Sequence, residues 1–85
     1  MHTLELLFRK CRAQLRVLKI MLESGEWMSL YEIQKKAGIT VSEDLIELMV
    51  DLGLVEKEEV FKRYRINREN KLIKSIEKFF EEVGY

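Results

Sequence analysis

The sequence predicts a mostly α-helical domain with one small β-hairpin, and three observations carry that expectation. Apolar residues recur at steps of four and three from Leu4 to Leu22. Two helix-start signatures, Ser29 with Glu32 and Thr40 with Glu43, flank Gly38. Residues 60–66 alternate, with Val60, Tyr64 and Ile66 on one side and Phe61, Arg63 and Arg65 on the other. A chain of 85 residues has the length of one domain, taken here as 1–85.

The first element is expected to be one long helix over 4–23. Leu4, Phe8, Cys11, Leu15, Leu18 and Leu22 line one face, and Val17, Ile20 and Met21 widen it. A helix apolar on more than one side is buried on more than one side. Ser24-Gly25 stops it, with Gly25 suited to the left-handed position after a helix. The second helix spans 29–37. Ser29 caps it, Glu32 completes a capping box, and Met28 and Ile33 form a hydrophobic staple. Gly38 ends it.

The Thr40–Glu43 spacing then starts a third helix over 40–52. Its apolar residues cover most of the circumference and leave one strip to Glu43, Asp44, Glu47 and Asp51. Gly53 closes it. Two strands follow, 54–59 and 60–66, with the hairpin tip near Glu58–Val60. Asn67 is placed to cap a last helix over 68–83, whose broad apolar face holds Leu72, Ile73, Ile76, Phe79, Phe80 and Val83.

Charge sums to zero but is segregated: +3 over residues 1–40, −6 over 41–60 and +3 over 61–85. A zero net charge weakens non-specific attraction to nucleic acid, and the segregation shows which faces retain it. One cysteine, Cys11, excludes an internal disulfide and fits a reducing compartment. One histidine, His2, and one cysteine cannot build a four-ligand N/S zinc site. With no nucleophile–histidine pair and no glycine-rich phosphate loop, neither an enzyme nor a cofactor is expected. No apolar run approaches the ~20 residues of a membrane span, so a cytoplasmic location without membrane contact is expected.

Helix, tight glycine turn, helix, hairpin and final helix, in that order, resemble a winged helix-turn-helix domain. The residues carrying the match are Ser29 to Ile33, Gly38-Ile39, Leu48 through Gly53-Leu54-Val55, and Tyr64-Arg65-Ile66. Together they are similar to small archaeal winged-helix DNA-binding proteins over residues 13–83. The resemblance implies a dimer paired through its terminal helices that binds duplex DNA. It also implies 40–52 as recognition helix and 54–66 as wing. Asn70 stands where those proteins have a glycine, and it tolerates similar backbone angles. Glu43, Asp44 and Glu47 stand where they carry Lys, Arg or Ser.

The candidate DNA contacts are Lys35, Lys36, Thr40, Ser42, Lys62, Arg63 and Arg65, which clamp the phosphate backbone from the second helix and the wing. For Lys35 and Lys36 the plainer alternative is complementing the helix dipole. For Arg63 and Arg65 it is cross-strand pairing with Glu56 or Glu58, with DNA contact favoured. Arg9, Arg12, Arg16 and Lys19 form a stripe read as a solvated face or as partners for acidic residues.

The candidate dimer face is Leu4, Phe8, Cys11, Leu15, Leu72, Ile76, Phe79, Phe80 and Val83, because the terminal helices are more apolar than one small core needs. Of Phe79 and Phe80, one is expected in the core and one at the dimer contact. Cys11 is expected to be a buried small hydrophobe, with an intersubunit disulfide as the alternative. His2 is expected to be disordered, and Trp27 to pack between the first helix and the wing. A transcriptional or chromatin-associated DNA-binding protein is the leading expectation. The rival is a protein-interaction module whose acidic strip (Glu43, Asp44, Glu47, Asp51) meets a basic partner.

Overall fold

The long first helix is broken in two. A computed structural model describes residues 2–85, and in it α1 (Thr3–Leu7) is followed by a 3-10 turn (Arg9–Cys11) and then α2 (Arg12–Ser24). Phe8 sits at the break with φ −108° and ψ 53°. Neither proline nor glycine causes it. In a straight helix the eleven residues from Glu5 to Arg16 would set the two side chains about 16 Å apart along the axis. The break folds α1 back, so that Arg16 Nε donates to Glu5 Oε1 at 2.9 Å and Leu4 enters the core.

The next boundaries shift by a few residues. Gly25 takes the left-handed position after α2, at φ 65°. A short strand that the sequence reading does not include, β1 (Met28–Ser29), precedes α3 (Leu30–Ala37). Ser29 thereby pairs across the sheet with Arg63 and also caps α3 within a complete capping box. The next helix, α4 (Glu43–Asp51), begins later than expected. Ser42, not Thr40, is its cap, accepting from the Leu45 amide at 3.2 Å. The reason lies in the turn: Val41 is buried and its carbonyl accepts from Gln34 Nε2 at 2.7 Å, which pins residues 39–42 outside the helix.

The hairpin strands are shorter than expected: β2 (Val55–Glu58) and β3 (Arg63–Ile66) are joined by a turn over 59–62. Glu58 organises that turn by accepting from the amides of Val60 and Phe61. The last helix, α5 (Lys71–Val83), is capped by Asn70, which accepts from the amides of Leu72 and Ile73. Asn67 instead ties the turn to the Gly53 carbonyl at 2.9 Å. Asn70 sits at φ −70°, so it acts as a helix cap and not as a left-handed stand-in for glycine.

The architecture is mostly helical with a three-stranded antiparallel sheet of order β1-β3-β2. It is compatible with a winged-helix-like arrangement. Every helix and strand contributes to one core, with Val17, Ile33 and Ile46 fully buried at its centre. No helix among the described residues is long and apolar enough to cross a membrane.

Candidate functional site

The α3–turn–α4 unit and the hairpin form one end of the molecule, and their charges are largely spent on each other. Arg65 donates through Nε and Nη2 to Glu56 Oε2 at 3.1 and 2.8 Å, and its guanidinium lies 4.4 Å from the Trp27 ring centroid. Trp27 is thus half-buried under a wing arginine. Arg63 lies 3.9 Å from a Glu58 carboxylate oxygen and 5.1 Å from the Phe61 ring. Both wing arginines therefore take the cross-strand partners that the sequence reading gave as the lesser alternative, as the register Glu56↔Arg65 and Glu58↔Arg63 requires.

The acidic strip is altered in the same way. Lys57 Nζ donates to Glu47 Oε1 at 2.6 Å, and the buried Tyr64 hydroxyl donates to the same oxygen at 3.1 Å. The Lys57 hydrogen bond outweighs desolvation and holds the Glu47 carboxyl below its usual range. The same bond raises the Lys57 ammonium. Burial first, then the Glu47 bond, pushes the Tyr64 hydroxyl up. Glu47 is thus neutralised within the fold, and three carboxylates of the strip, Glu43, Asp44 and Asp51, stay exposed. Glu43 and Asp44 occupy the first turn of α4, where they complement the helix dipole. Leu48 and Leu52 on this helix are 52% and 60% exposed.

Three cations remain around this surface. Lys35 and Lys36 are exposed in the last turn of α3 and make no ion pair among the described residues. Lys62 is likewise exposed and unpaired at the hairpin tip, in a left-handed conformation at φ 50°. Thr40 and Ser42 are exposed in the turn between α3 and α4. Of the candidate DNA contacts, Lys35, Lys36, Thr40, Ser42 and Lys62 thus keep free surface, while Arg63 and Arg65 face Glu58 and Glu56 across the hairpin.

The Arg9–Lys19 stripe divides. Arg9 is exposed, while Arg12 and Arg16 both pair with Glu5. Lys19 lies 4.8 Å from the Tyr85 ring. Glu5 is 6% exposed and is the buried charged group among the described residues. Burial opposes its charge. The Arg16 hydrogen bond, the nearby Tyr85 hydroxyl and the fields of both arginines nevertheless hold its carboxyl below the usual 4.5. Burial beside that carboxylate pushes Tyr85 up to about 12. Beside an apolar stripe near the start of the chain, Glu5 has the sequence pattern of a solvated charge. Its spacing to Arg12 and Arg16, seven and eleven residues, was the available signal.

Most of the candidate dimer residues meet where α1, α2 and α5 pack. Leu4, Phe8, Cys11, Leu15, Ile76, Phe79 and Phe80, with Leu18, line an apolar groove of about 240 Å³ between α1, α2 and α5. Leu4 and Phe80 belong to its core floor, while Phe8 and Phe79 are exposed at 46% and 44%. Leu72 and Val83 are exposed at the two ends of α5. Cys11 is exposed, against the expectation of burial, because it lies in the 3-10 turn and not within a continuous helix. His2 is ordered: its Nδ1 accepts from the Leu4 amide at 2.9 Å, and its ring packs edge-on 5.2 Å from Tyr85.

No protein-family model matches the chain, and no curated protein and no solved structure is significantly similar to it.

Proposed function

We propose that this chain is a winged helix-turn-helix domain that binds duplex DNA as a homodimer, gripping phosphates and not reading bases through α4. The observation that supports this most is a set of exposed cations without an ion pair among the described residues: Lys35 and Lys36 in the last turn of α3, and Lys62 at the hairpin tip. Thr40 and Ser42 are exposed in the turn that leads into α4. Phosphate contacts fix a protein on DNA without demanding sequence. The free carboxylates of α4 oppose deep entry into a groove, so a backbone grip suits this surface better than base readout. The loss of Glu47 to Lys57 and Tyr64 lowers that opposition. A dimer places two such grips about 34 Å apart, one helical turn. The self-pairing surface is the α1–α2–α5 groove with the exposed apolar residues at its rim.

The test is a salt titration of binding to a random-sequence duplex. Each phosphate contact contributes about 0.9 to the logarithmic salt slope, so Lys35→Ala with Lys36→Ala lowers it by roughly two. An unchanged slope, or no binding by the unaltered protein at low ionic strength, overturns the proposal.

A second reading is favoured by one specific feature. Asp44, Leu48 and Leu52 follow at steps of four on α4, with Leu48 and Leu52 exposed and Asp51 alongside. That strip suits a basic amphipathic helix of a partner protein. Glu43→Lys with Asp44→Lys separates the two readings: it strengthens DNA binding under the first and abolishes partner binding under the second.

A further inference from the structure

The α1 segment is held to the body by few contacts, yet those contacts reach across the molecule. It is five residues long, far below the length at which a helix is stable alone. Only Leu4 and Glu5 of α1 are buried, while Leu6 and Leu7 are 51% and 73% exposed. Phe8 provides a non-helical joint. Segments with few buried contacts open at a free energy well below that of global unfolding.

The Glu5 carboxylate is the point of attachment. Arg16 is forked: Nε donates to Glu5 Oε1 at 2.9 Å, and Nη1 donates to the Ala37 carbonyl at 3.1 Å. Ala37 is the last residue of α3 and directly follows Lys35 and Lys36. One guanidinium therefore joins α1 to the basic end of α3. Glu5, Arg16, Lys36, Ala37 and Tyr85 also share the walls of a single groove of about 220 Å³, so nothing separates the attachment point from that helix end. The planar fork fixes both directions together, which a point-charge ammonium would not do.

We infer that α1 is a hinged latch whose docking, transmitted through Glu5 and Arg16, steadies the C-terminal end of α3. When α1 leaves, Arg16 loses the carboxylate that orients it, and the Ala37 carbonyl loses an oriented donor. The latch also sets Leu4, with Phe8 at its joint, into the walls of the apolar groove. Whatever covers that groove favours the docked state and thereby the ordered α3 end, and the coupling is reciprocal. Its consequence for DNA rests on the function proposed above; the coupling itself does not.

Amide hydrogen exchange of the full chain tests it. The Phe8 amide donates to the Leu4 carbonyl and reports on the latch. The Gly38 amide donates to the Gln34 carbonyl and reports on the α3 end, while the Leu54 amide, donating to Met49, serves as a distant control. Glu5→Gln is expected to raise exchange about tenfold at both Phe8 and Gly38 and less than about twofold at Leu54. The milder Tyr85→Leu removes the packing partner of His2 and gives the same pattern at smaller size. A rise at Phe8 with Gly38 unchanged, or an equal rise at all three, overturns the latch in either variant. Coupled exchange in a protein that ignores duplex DNA upholds the latch and removes the DNA reading alone. If both hold, Glu5→Gln weakens DNA binding with no change in salt slope, unlike the Lys35/Lys36 variant.

Discussion

The two ends of this molecule use charge in opposite ways. At the α1–α2–α5 end a single carboxylate, Glu5, is buried and serves two arginines, and the surrounding surface is an apolar groove. At the α4–hairpin end many charges lie near the surface, and most are paired across short distances: Arg65 with Glu56, Arg63 with Glu58, Lys57 with Glu47. The two hairpin arginine pairs are largely exposed and contribute little to stability, because water already satisfies both partners, whereas Lys57 and Glu47 are partly buried. A buried carboxylate with two partners is different: removing the partners would leave a charge stranded away from water. The two regions thus differ in what their charges do, although both contribute apolar side chains to the one core.

The largest expected effect separates two adjacent phenylalanines. Phe80 is 7% exposed and packs edge-on against Tyr85 at 4.8 Å, whereas Phe79 is 44% exposed at the groove rim. Phe80→Ala is expected to cost about 3–5 kcal/mol, lowering Tm by more than ~12 °C in a domain of this size. Phe79→Ala should leave Tm nearly unchanged when measured under monomeric conditions and weaken self-association instead. Thermal melts with light scattering after size exclusion read both quantities. Equal losses of Tm in the two variants would erase the distinction between core floor and dimer rim. A monomer in the unaltered protein at micromolar concentration would remove the dimer altogether.

Phe79 and Phe80 also show what the sequence made legible. Periodicity placed both on one apolar face of the last helix, and the expected split between core and surface follows from that face being wider than the space beneath it. The capping box at Ser29 and Glu32 located α3, because capping is satisfied by neighbouring residues alone. The break at Phe8 was not legible: it arises from Glu5 meeting Arg16 after the chain turns, a contact that exists only in three dimensions. The β1 strand was hidden because Met28 and Ser29 borrow their pairing from Tyr64 and Arg63, more than thirty residues later. At the candidate site, Lys35, Lys36 and Lys62 were readable as basic points. The pairing of Arg63 and Arg65 depends on cross-strand register, and that of Glu47 on α4 meeting Lys57 and Tyr64 of the sheet, neither of which is local in the chain.

Acid sharpens the contrast at Glu5. Its carboxyl titrates below 4.5 when folded and near 4.5 when unfolded, so its charge stabilises the fold fully above about 4.5. That stabilisation is lost as pH falls through the depressed folded value, because the unfolded chain takes up the proton first. Glu47 is depressed as well and contributes in the same direction. Urea midpoints from pH 7 to pH 3 should therefore fall for the unaltered protein and fall less steeply for Glu5→Gln, which starts lower at pH 7. Parallel curves for the two proteins would mean that Glu5 does not carry the acid sensitivity of the apolar end.

The smallest effect belongs to the hairpin. Arg65 has a paired carboxylate and an aromatic face, yet its side chain is 41% exposed and Glu56 is 42% exposed. Exposed ion pairs contribute about 0.2–1 kcal/mol and exposed cation–π contacts about 0.5–1 kcal/mol, so Arg65→Ala is expected to cost about 0.7–2 kcal/mol, below the loss at Phe80. The substitution should nonetheless be visible optically, because Trp27 is the sole tryptophan and loses the guanidinium that covers its ring. Its emission should shift to longer wavelength as water reaches the indole, with the thermal midpoint lowered by less than in Phe80→Ala. Because Arg65 is already partnered by Glu56, the same variant should change the DNA salt slope by less than Lys35→Ala with Lys36→Ala. If Arg65→Ala instead lowers that slope by a full contact, about 0.9, the arginine leaves Glu56 for phosphate on binding, and the paired end is a surface held in reserve for DNA.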